Sequence, residues 1–341
     1  MKVLKAAILG ATGFTGVELL RLLAQHPQLE VVFAGGDSQA GQRISALYPN
    51  LRAAYPDLVA QEFSLSAIDG ADVVFLGLPH ESSLELVPSL MGHVGCVVDL
   101  SAAFRLTDAS QYPTWYGFQH TETDLLKTAV YGLPEVYREE LKGAHLVATP
   151  GCYVTAATLA LRPLVQGGFL LNSDIIVDAA SGVSGAGKAL KAGSMFCNVD
   201  EDFTAYGLVS HRHTPEMEQL IGAELLFTPH LAPMTRGILA TCYARPASPT
   251  TTTETLLDAL RNAYRDEPFI VVSDEIPSTK ATLGTNTVHI TARVDPRTGR
   301  AIVISALDNL TKGASGGAVQ AANVALGLGE SLGLTSVGVW P

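Results

Sequence analysis

Residues 4–23 read LKAAILGATGFTGVELLRLL, and this stretch decides the fold of the first part of the chain. Leu4–Leu9 is a short apolar run, typical of a strand that is buried on both faces of a parallel sheet. Gly10, Gly13 and Gly16 follow with G-x-x-G-x-x-G spacing, and the residues after them repeat apolar side chains with helical period. Such glycines let a pyrophosphate approach the backbone at a helix N-terminus. The stretch therefore predicts a Rossmann-type dinucleotide site, the alternative being a purely structural strand-to-helix turn.

The turn after the second predicted strand, Leu29–Ala34, is expected to meet the adenosine ribose of a bound dinucleotide. Asp37 in this turn favours NAD, because a carboxylate accepts a hydrogen bond from the ribose 2′-hydroxyl. Ser38 is small and polar, and such residues tolerate the 2′-phosphate of NADP. The two residues favour different cofactors, so this turn leaves the choice open.

Composition and charge indicate a compact globular enzyme. The chain has 341 residues, of which 47% are hydrophobic and 16% charged, and this length favours two domains. The formal net charge is −11 without a lysine/arginine block, which argues against a large nucleic-acid footprint. Neither a membrane-spanning apolar run nor a signal-peptide pattern is evident. We therefore expect a cytoplasmic protein that binds neither nucleic acid nor membrane.

Two more apolar runs end in polar turns at the same predicted sheet edge, one at Pro79-His80 and one at residues 99–105. Ligands bind at the carboxyl edge of open α/β sheets. Arg105 is therefore a candidate anion clamp, because a guanidinium pairs bidentately with phosphate or carboxylate; the alternative is a surface salt bridge. A polar and aromatic excursion, residues 107–131, precedes the strand predicted at residues 144–148.

Cys152 follows the turn Pro150-Gly151 at the start of a predicted apolar helix. The partial positive charge and the N–H groups of a helix N-terminus favour thiolate over thiol, so Cys152 is a candidate nucleophile. The alternative is a small core cysteine. The four cysteines form no C-x-x-C pair that would indicate a zinc ribbon or a thioredoxin-like motif.

The pattern after Cys152 changes from continuous apolar runs to alternation, which predicts a mostly antiparallel sheet with helices on one face. A glycine-serine loop at residues 181–188 either wraps a ligand or lies on the surface. The final helix, predicted over residues 318–328, is expected to return to the first domain. The predicted fold is α/β: a Rossmann-type domain of residues 1–150 and 311–341, and an α+β catalytic, substrate-binding and oligomerisation domain of residues 151–310.

A thiol beside a nicotinamide cofactor has a specific chemical use. It attacks an activated acyl group, and the resulting thioester is reduced to an aldehyde. The tetrahedral intermediates need a proton shuttle, for which His211 and His213 are the candidates, although each could be a surface or capping histidine. A zinc site made of His-x-His and a following Glu lacks an evident fourth ligand, and a Cys–His hydrolase would leave the glycine-rich turn unexplained. We therefore predict no metal.

Seven motifs, in order, resemble the N-acetyl-γ-glutamyl-phosphate reductase family, a relative of aspartate-semialdehyde dehydrogenase. Besides GATGFTG at residues 10–16, they are DLSAAFR at 99–105, YGLPE at 131–135, PGCY at 150–153, SGVSGAG at 181–187, HRHTPE at 211–216 and NLTKG at 309–313. Together they span nearly the whole chain. The resemblance implies that NADPH reduces N-acetyl-γ-glutamyl phosphate to N-acetyl-glutamate semialdehyde and phosphate, in arginine biosynthesis.

The resemblance also implies roles for individual residues. Cys152 matches the nucleophile, and His213 is preferred to His211 as the acid/base. Three further residues are expected at the substrate: Arg105, as a phosphate or carboxylate anchor, Ser181 and Glu216. The residues expected at the cofactor are Gly10, Thr12, Gly13, Phe14, Thr15, Gly16, Ser38, Ser184, Gly185 and Asn309.

Two residues depart from the family pattern. Ala103 stands where many relatives carry an aspartate, so another group must order the loop of Arg105. Asp37 argues against a strict preference for NADP, and NAD is not excluded.

Two other functions share part of the pattern. The carrier-protein-linked reductase of lysine biosynthesis would need a basic docking face for its acidic carrier, which the net charge of −11 disfavours. A catalytically idle NAD(P)-sensing protein would have no need of Cys152, the two histidines and Arg105 together. We expect a homodimer or homotetramer that acts on a small-molecule acyl phosphate.

Overall fold

A computed structural model describes residues 2–340 of the chain. Contacts divide these residues into two compact units, the first made of residues 2–150 and 314–334 and the second of residues 151–313 and 335–340. Within residues 2–340, we find no helix with the length and apolarity to cross a membrane.

The first unit contains a six-stranded sheet in which all neighbouring strands are parallel. Its strands are β1 (Leu4–Leu9), β2 (Leu29–Gly35), β3 (Val73–Leu76), β4 (Cys96–Asp99), β5 (Val130–Tyr131) and β6 (Leu146–Ala148). They lie in the order β2-β1-β3-β4-β6-β5. The order reverses at β1, because β2 lies on one side of it and β3 on the other. Ligands of doubly wound sheets bind at the carboxyl ends of the strands at such a point.

The inner strands β3, β4 and β6 are buried along their whole length, as is the second half of β1, and this burial on both faces explains their apolar runs. Alternate residues of β1 point to opposite faces, so Ala6 and Ile8 lie in one buried cluster and Ala7 and Leu9 in another. The helices that accompany the sheet are α1 (Phe14–Leu23), α2 (Ile44–Leu47), α3 (Leu65–Ile68), α4 (His80–Leu90), α5 (Tyr112–Trp115), α6 (Thr123–Thr128) and α7 (Pro134–Leu141).

The second unit contains a seven-stranded mixed sheet. Its strands are β7 (Ile175–Gly182), β8 (Thr204–Ala205), β9 (Leu225–Ala232), β10 (Ile238–Ala244), β11 (Ile270–Val272), β12 (Val288–Val294) and β13 (Ala301–Leu307). They lie in the order β11-β12-β13-β10-β7-β9-β8. Neighbours are antiparallel except β11 with β12 and β7 with β9, so the prediction of a mostly antiparallel sheet is confirmed.

One face of the second sheet is covered by helices. The helices of this unit are α8 (Cys152–Gln166), α9 (Phe196–Val199), α10 (Thr214–Ile221) and α11 (Thr253–Ala263). α8 packs on β10 and β13, and Ser305 Oγ of β13 donates a hydrogen bond of 2.8 Å to the Ala156 carbonyl of α8. On the other face of β13, Ile302 and Ile304 remain partly exposed.

The chain then enters α12 (Gly316–Ala325), which packs on α1, α7 and β4 of the first unit, so the predicted return of the last helix is confirmed. The predicted boundaries differ from the observed units at two places. Residues 311–313 belong with the second unit, where the Gly313 N–H donates a hydrogen bond of 3.0 Å to the Asp308 carbonyl. Residues 335–340 also belong with the second unit, where the Asn286 N–H donates a hydrogen bond of 2.9 Å to the Thr335 carbonyl.

Candidate active site

The first glycine-rich turn joins β1 to α1 with little room for side chains. Gly10 has φ +82°, which favours glycine, and a Cβ on it would overlap the Gly77 carbonyl at the end of β3. A Cβ on Gly16 would overlap the Gly10 carbonyl and lie 2.5 Å from Ala11 Cα. Ser315 Oγ donates a hydrogen bond of 2.8 Å to the Thr15 carbonyl and so helps to hold the turn. A turn that exposes backbone at a helix start fits the pyrophosphate of a dinucleotide.

A cavity of about 390 Å³ lies beside this turn, at the point where the strand order reverses. It is lined by Leu9, Gly10, Gly35, Asp37, Phe63, Leu78, Pro79, Ser82, Glu85 and Leu86. The sequence predicted Ser38 at the cofactor, but it is the neighbouring Asp37 that lines the cavity; both side chains are exposed. Glu85 and Phe63 are cavity residues that sequence reasoning did not single out.

Arg105 lies in a buried loop after β4, and the hydrogen bonds of Asp99, Ser101 and His80 hold this loop. Asp99 accepts hydrogen bonds from Ser101 N–H (2.9 Å) and Ser101 Oγ (2.7 Å). His80 Nδ1 accepts from Ala102 N–H at 2.9 Å, and Arg105 Nη2 donates 2.9 Å to the Leu100 carbonyl. Full burial raises the pKa of the Asp99 carboxyl despite these bonds and the nearby Arg105 charge. The loop is therefore ordered by Asp99 and His80.

Cys152 is the first residue of α8, in the second unit. Gly151 caps the helix with extended backbone, at φ −66° and ψ 148°, and Cys152 is partly exposed. The site is closely packed, because a Cβ on Gly313 would lie 2.9 Å from Cys152 Cβ. Cys152 is therefore closely packed on the side of Gly313 without being fully buried.

His213 and Glu216 both contact Gly151, the residue before the cysteine. A Cβ on Gly151 would overlap the Nε2 edge of the His213 ring, so only glycine leaves room for this imidazole. Glu216 is fully buried in α10, and its Oε1 accepts a hydrogen bond of 3.0 Å from Gly151 N–H. The segment that follows β8 is thus brought onto the cysteine turn. The expected substrate contact of Glu216 stays a prediction, since the contact described is with the backbone.

His211 is placed differently from His213. Its ring packs in an aromatic cluster, with centroid distances of 5.9 Å to Tyr153, 5.5 Å to Tyr206 and 5.1 Å to Phe227. Its Nδ1 accepts a hydrogen bond of 3.1 Å from the His213 N–H, which requires this ring nitrogen to carry no proton. Burial, helped by the charge of Arg212, lowers the pKa of His211 to about 4. His211 is therefore a neutral residue that positions the His213 backbone.

Three residues predicted at the ligands, Ser181, Ser184 and Asn309, are brought together in the second unit and are buried. Asn309 Nδ2 donates a hydrogen bond of 3.0 Å to Ser184 Oγ, and Asn309 Oδ1 accepts one of 2.7 Å from the Gly237 N–H. A Cβ on Gly185 would lie 2.9 Å from Ser181 Oγ, so the loop passes close to this group.

Sequence reasoning missed the ion pair that holds Asn309 in place. Asp308 is fully buried, and its Oδ1 accepts from Arg236 Nη2 at 3.0 Å and from Thr311 N–H at 3.1 Å. Its Oδ2 accepts 2.7 Å from Gly284 N–H. An acidic residue at the end of an apolar strand was the available signal, but its arginine partner lies 72 residues away in the chain.

Among residues 2–340, no cluster of three or more His, Cys, Asp or Glu side chains is arranged to hold a metal ion.

Comparison with known proteins identifies the family. The family model "Semialdehyde dehydrogenase, NAD binding domain" matches residues 5–144, and "Semialdehyde dehydrogenase, dimerisation domain" matches residues 152–309. The chain is 50% identical over 348 residues to the N-acetyl-gamma-glutamyl-phosphate reductase of Symbiobacterium thermophilum, with 99% of each chain covered. It is 45% identical to the protein of that name from Magnetococcus marinus, covering 100% of this chain and 99% of the relative.

Solved structures show the same fold at low identity. Aspartate semialdehyde dehydrogenase II of Vibrio cholerae, complexed with ASA, is 17% identical with a TM-score of 0.70, covering 95% of this chain and 98% of that one. The aspartate semialdehyde dehydrogenase of Candida albicans with NADP is 18% identical with a TM-score of 0.69, covering 95% and 100%. On the full-length identities, the chain belongs to the N-acetyl-gamma-glutamyl-phosphate reductase family of oxidoreductases, within the semialdehyde dehydrogenases.

Proposed function

We propose that the chain converts N-acetyl-γ-glutamyl phosphate to N-acetyl-glutamate semialdehyde and inorganic phosphate, a reductive step of arginine biosynthesis. The observation that carries this proposal is the position of Cys152 at the start of α8, with the His213 ring against Gly151. Relatives with that name, 45–50% identical over the full length, support the choice of substrate.

Cys152 is the proposed nucleophile. As the first residue of α8 it lies where the helix dipole and the N–H groups of the first turn favour a thiolate. Its sulfur bonds to the γ-acyl carbon, the carbon–oxygen bond to phosphate breaks, and phosphate leaves with that electron pair. The product of this half-reaction is a thioester on Cys152. When that thioester has been reduced, the carbon–sulfur bond breaks, the aldehyde leaves and Cys152 returns as thiolate.

His213 is the proposed acid/base. The Nε2 edge of its ring lies against Gly151, whereas the Nδ1 of His211 is engaged as an acceptor in a buried aromatic cluster. A proton on His213 Nε2 stabilises negative charge that develops on the reacting oxygen and is returned as the aldehyde forms. Glu216 holds the Gly151 N–H and thereby keeps the cysteine turn in register with His213.

The carboxylate or phosphate of the substrate is proposed to bind Arg105. The residue is 7% exposed, and its Nη2 donates a hydrogen bond to the Leu100 carbonyl, so the guanidinium is oriented before an anion arrives. Ser181 is kept as a proposed substrate contact.

The dinucleotide is proposed to bind on the turn of Gly10–Gly16 and in the adjacent cavity, with Ser184, Gly185 and Asn309 at its nicotinamide end. The bare backbone of the turn and the size of the cavity support the placement on the turn, whereas Ser184, Gly185 and Asn309 are proposed on the family resemblance alone. When bound, the reduced nicotinamide supplies the hydride that the thioester needs. The family resemblance implies NADPH as donor, and the residues after β2 decide how well NADH replaces it.

The reverse reaction tests the proposal directly. N-acetyl-glutamate semialdehyde and phosphate are incubated with NADP or NAD, and formation of the reduced nicotinamide is followed by absorbance. The wild-type chain should show phosphate-dependent turnover, while Cys152→Ser should lose about a thousandfold or more and keep dinucleotide binding. Near-normal turnover by Cys152→Ser would contradict the thioester mechanism. If the wild-type chain shows no turnover at any phosphate concentration, the proposed substrate is wrong.

A homodimer, or a homotetramer built from it, is the proposed assembly, formed through the uncovered face of the seven-stranded sheet. Leu226, Ile176, Tyr243 and Ile302 lie directly opposite one another on β9, β7, β10 and β13. All four are at least partly exposed, and Leu226 is 51% exposed. An apolar row of this kind on a unit that matches a dimerisation domain fits a second copy of the chain. The cytoplasm is the proposed compartment, because the mechanism requires a reduced thiol.

A further inference from the structure

The cavity beside the first glycine-rich turn is acidic. Of the ten residues that line it, Asp37 and Glu85 are charged, both negatively, and the remaining eight are apolar, small or hydroxylic. Asp37 opens the 3₁₀ turn Asp37–Gln39 directly after β2. That is the position from which α/β dinucleotide-binding folds reach the adenosine ribose.

The chain has no room for a different side chain before Asp37. A Cβ on Gly36 would lie 2.7 Å from Thr12 Cγ2, and a Cβ on Gly35 would lie 3.1 Å from the side chains of Leu9 and Phe33. The Thr12 side chain thus lies close to Gly36, and Ala11 N–H donates a hydrogen bond of 2.8 Å to the Gly35 carbonyl. Tyr48 strengthens this contact by donating a hydrogen bond of 2.6 Å to the Thr12 carbonyl. Asp37 is the first side chain after the strand.

Positive charge for a 2′-phosphate is not supplied by the residues of the cavity wall. The next arginine in the chain, Arg43, is an exposed residue whose Nη1 lies 3.8 Å from Asp57 Oδ1, and it does not line the cavity. A ribose phosphate ester carries about −1.5 to −2 charge at neutral pH and would face two carboxylates here. A ribose with free hydroxyls instead offers two donors to a carboxylate that only accepts.

We propose that Asp37 binds the 2′- and 3′-hydroxyls of the adenosine ribose and makes this reductase prefer NADH to NADPH. The proposal rests on the dinucleotide site of the proposed function and departs from the NADPH implied by the family resemblance. Charge-assisted hydrogen bonds of this kind discriminate by roughly tenfold or more.

Direct binding tests the proposal without the acyl phosphate. NADH and NADPH are titrated separately into the purified full chain, and their fluorescence is followed to obtain two dissociation constants. The wild type should bind NADH more tightly than NADPH. Asp37→Ser should weaken NADH binding about tenfold and strengthen NADPH binding. The matched control is Asp57→Asn, which removes one carboxylate of the same unit outside the cavity and should leave the ratio of the two constants unchanged.

Tighter binding of NADPH than NADH by the wild type, or a change of less than threefold in the ratio on Asp37→Ser, overturns the proposal. An equal shift of the ratio in Asp57→Asn also overturns it, because the effect would then be general charge. The proposed reaction fails separately: the expected binding ratio without phosphate-dependent turnover removes the reaction and leaves the cofactor preference standing. Binding of neither dinucleotide removes both.

Discussion

At the scale of single residues, the two histidines of the HRHTPE segment lie in different surroundings. His213 is buried beside Gly151, and His211 supports it from an aromatic cluster. We expect His213→Asn to lower kcat by about 10²–10⁴-fold with little change in dinucleotide affinity, since it removes a proton donor and acceptor. The measurement is steady-state turnover in both directions, together with dinucleotide titration.

His211→Asn is the matched control for this prediction, because the asparagine oxygen can still accept from His213 N–H. It should reduce kcat less than His213→Asn does. If His211→Asn has the larger effect, the assignment of the acid/base is wrong.

The lowered pKa of His211 also predicts how stability depends on pH. Burial brings its pKa from 6.5 to about 4, so the unfolded chain takes up a proton in this range that the folded chain does not. His211 therefore imposes no penalty on the free energy of unfolding above pH 6.5, and this free energy decreases as the pH falls from 6.5 toward 4. At pH 5 the loss is at most about 2 kcal/mol. Urea unfolding at pH 7 and pH 5 should show a smaller loss for His211→Gln than for the wild type, and equal losses would contradict the shift.

Much of the site could be predicted at this scale, but not the direction in which each side chain points. Cys152, at the start of α8, could be predicted because a Pro-Gly turn before an apolar run marks a helix start. The contact of Glu216 with Gly151 could not, because it joins residues 65 positions apart. The backbone path after β2 likewise decides that Asp37 lines the cavity beside the glycine-rich turn, and the cofactor contact of Ser38 stays a prediction.

At the scale of elements, the glycine-rich turn reverses an ordinary rule of helix stability. Replacing glycine by alanine inside a helix normally stabilises by about 1 kcal/mol. Gly16 lies in α1, but a Cβ there would overlap the Gly10 carbonyl and lie 2.6 Å from the Ala11 carbonyl carbon. We expect Gly16→Ala to lower the free energy of unfolding by about 1–3 kcal/mol, as overpacking does. Denaturant unfolding measures it.

Gly13→Ala is the control within the same turn. A Cβ on Gly13 would lie 3.4 Å from the Gly10 carbonyl, an ordinary contact, so only the loss of a glycine cap of at most about 1 kcal/mol is expected. A Gly16→Ala variant as stable as the wild type would show that the turn can relax.

The strands were more predictable than the helices. β1 has the predicted bounds, because a continuous apolar run follows directly from burial on both faces of a sheet, and the alternation after Cys152 predicted the kind of sheet seen in the second unit. α5 lies in the predicted excursion and depends on tertiary packing, because the Tyr112 ring packs at tilted angles against Tyr116, Phe118 and His120. α7 is short, polar on average and distorted at Tyr137, and it was not predicted from the sequence.

At the scale of the whole molecule, the two halves could be predicted from the change of pattern after Cys152, but the course of the C-terminus could not. Residues 335–340 follow a helix of the first unit and yet pack with the second, where a Cβ on Gly338 would lie 3.0 Å from the Leu283 carbonyl. Such packing depends on backbone fit, which leaves no period in the sequence.

The uncovered face of the seven-stranded sheet gives a prediction for the assembly. Leu226 is 51% exposed at the end of the cross-strand row with Ile176, Tyr243 and Ile302, so a charge there should not disturb the fold of one chain. In a dimer formed through this face, the glutamate would be buried against the second chain, and burying an unpaired charge costs several kcal/mol. We expect Leu226→Glu to shift the chain from dimer to monomer in sedimentation velocity at micromolar concentration, with an unchanged circular dichroism spectrum. Ile276→Glu places the same charge on a 78% exposed residue outside this row and should leave the dimer intact. If both variants remain dimeric, the second copy binds elsewhere; if both dissociate, general charge repulsion rather than this face explains the change.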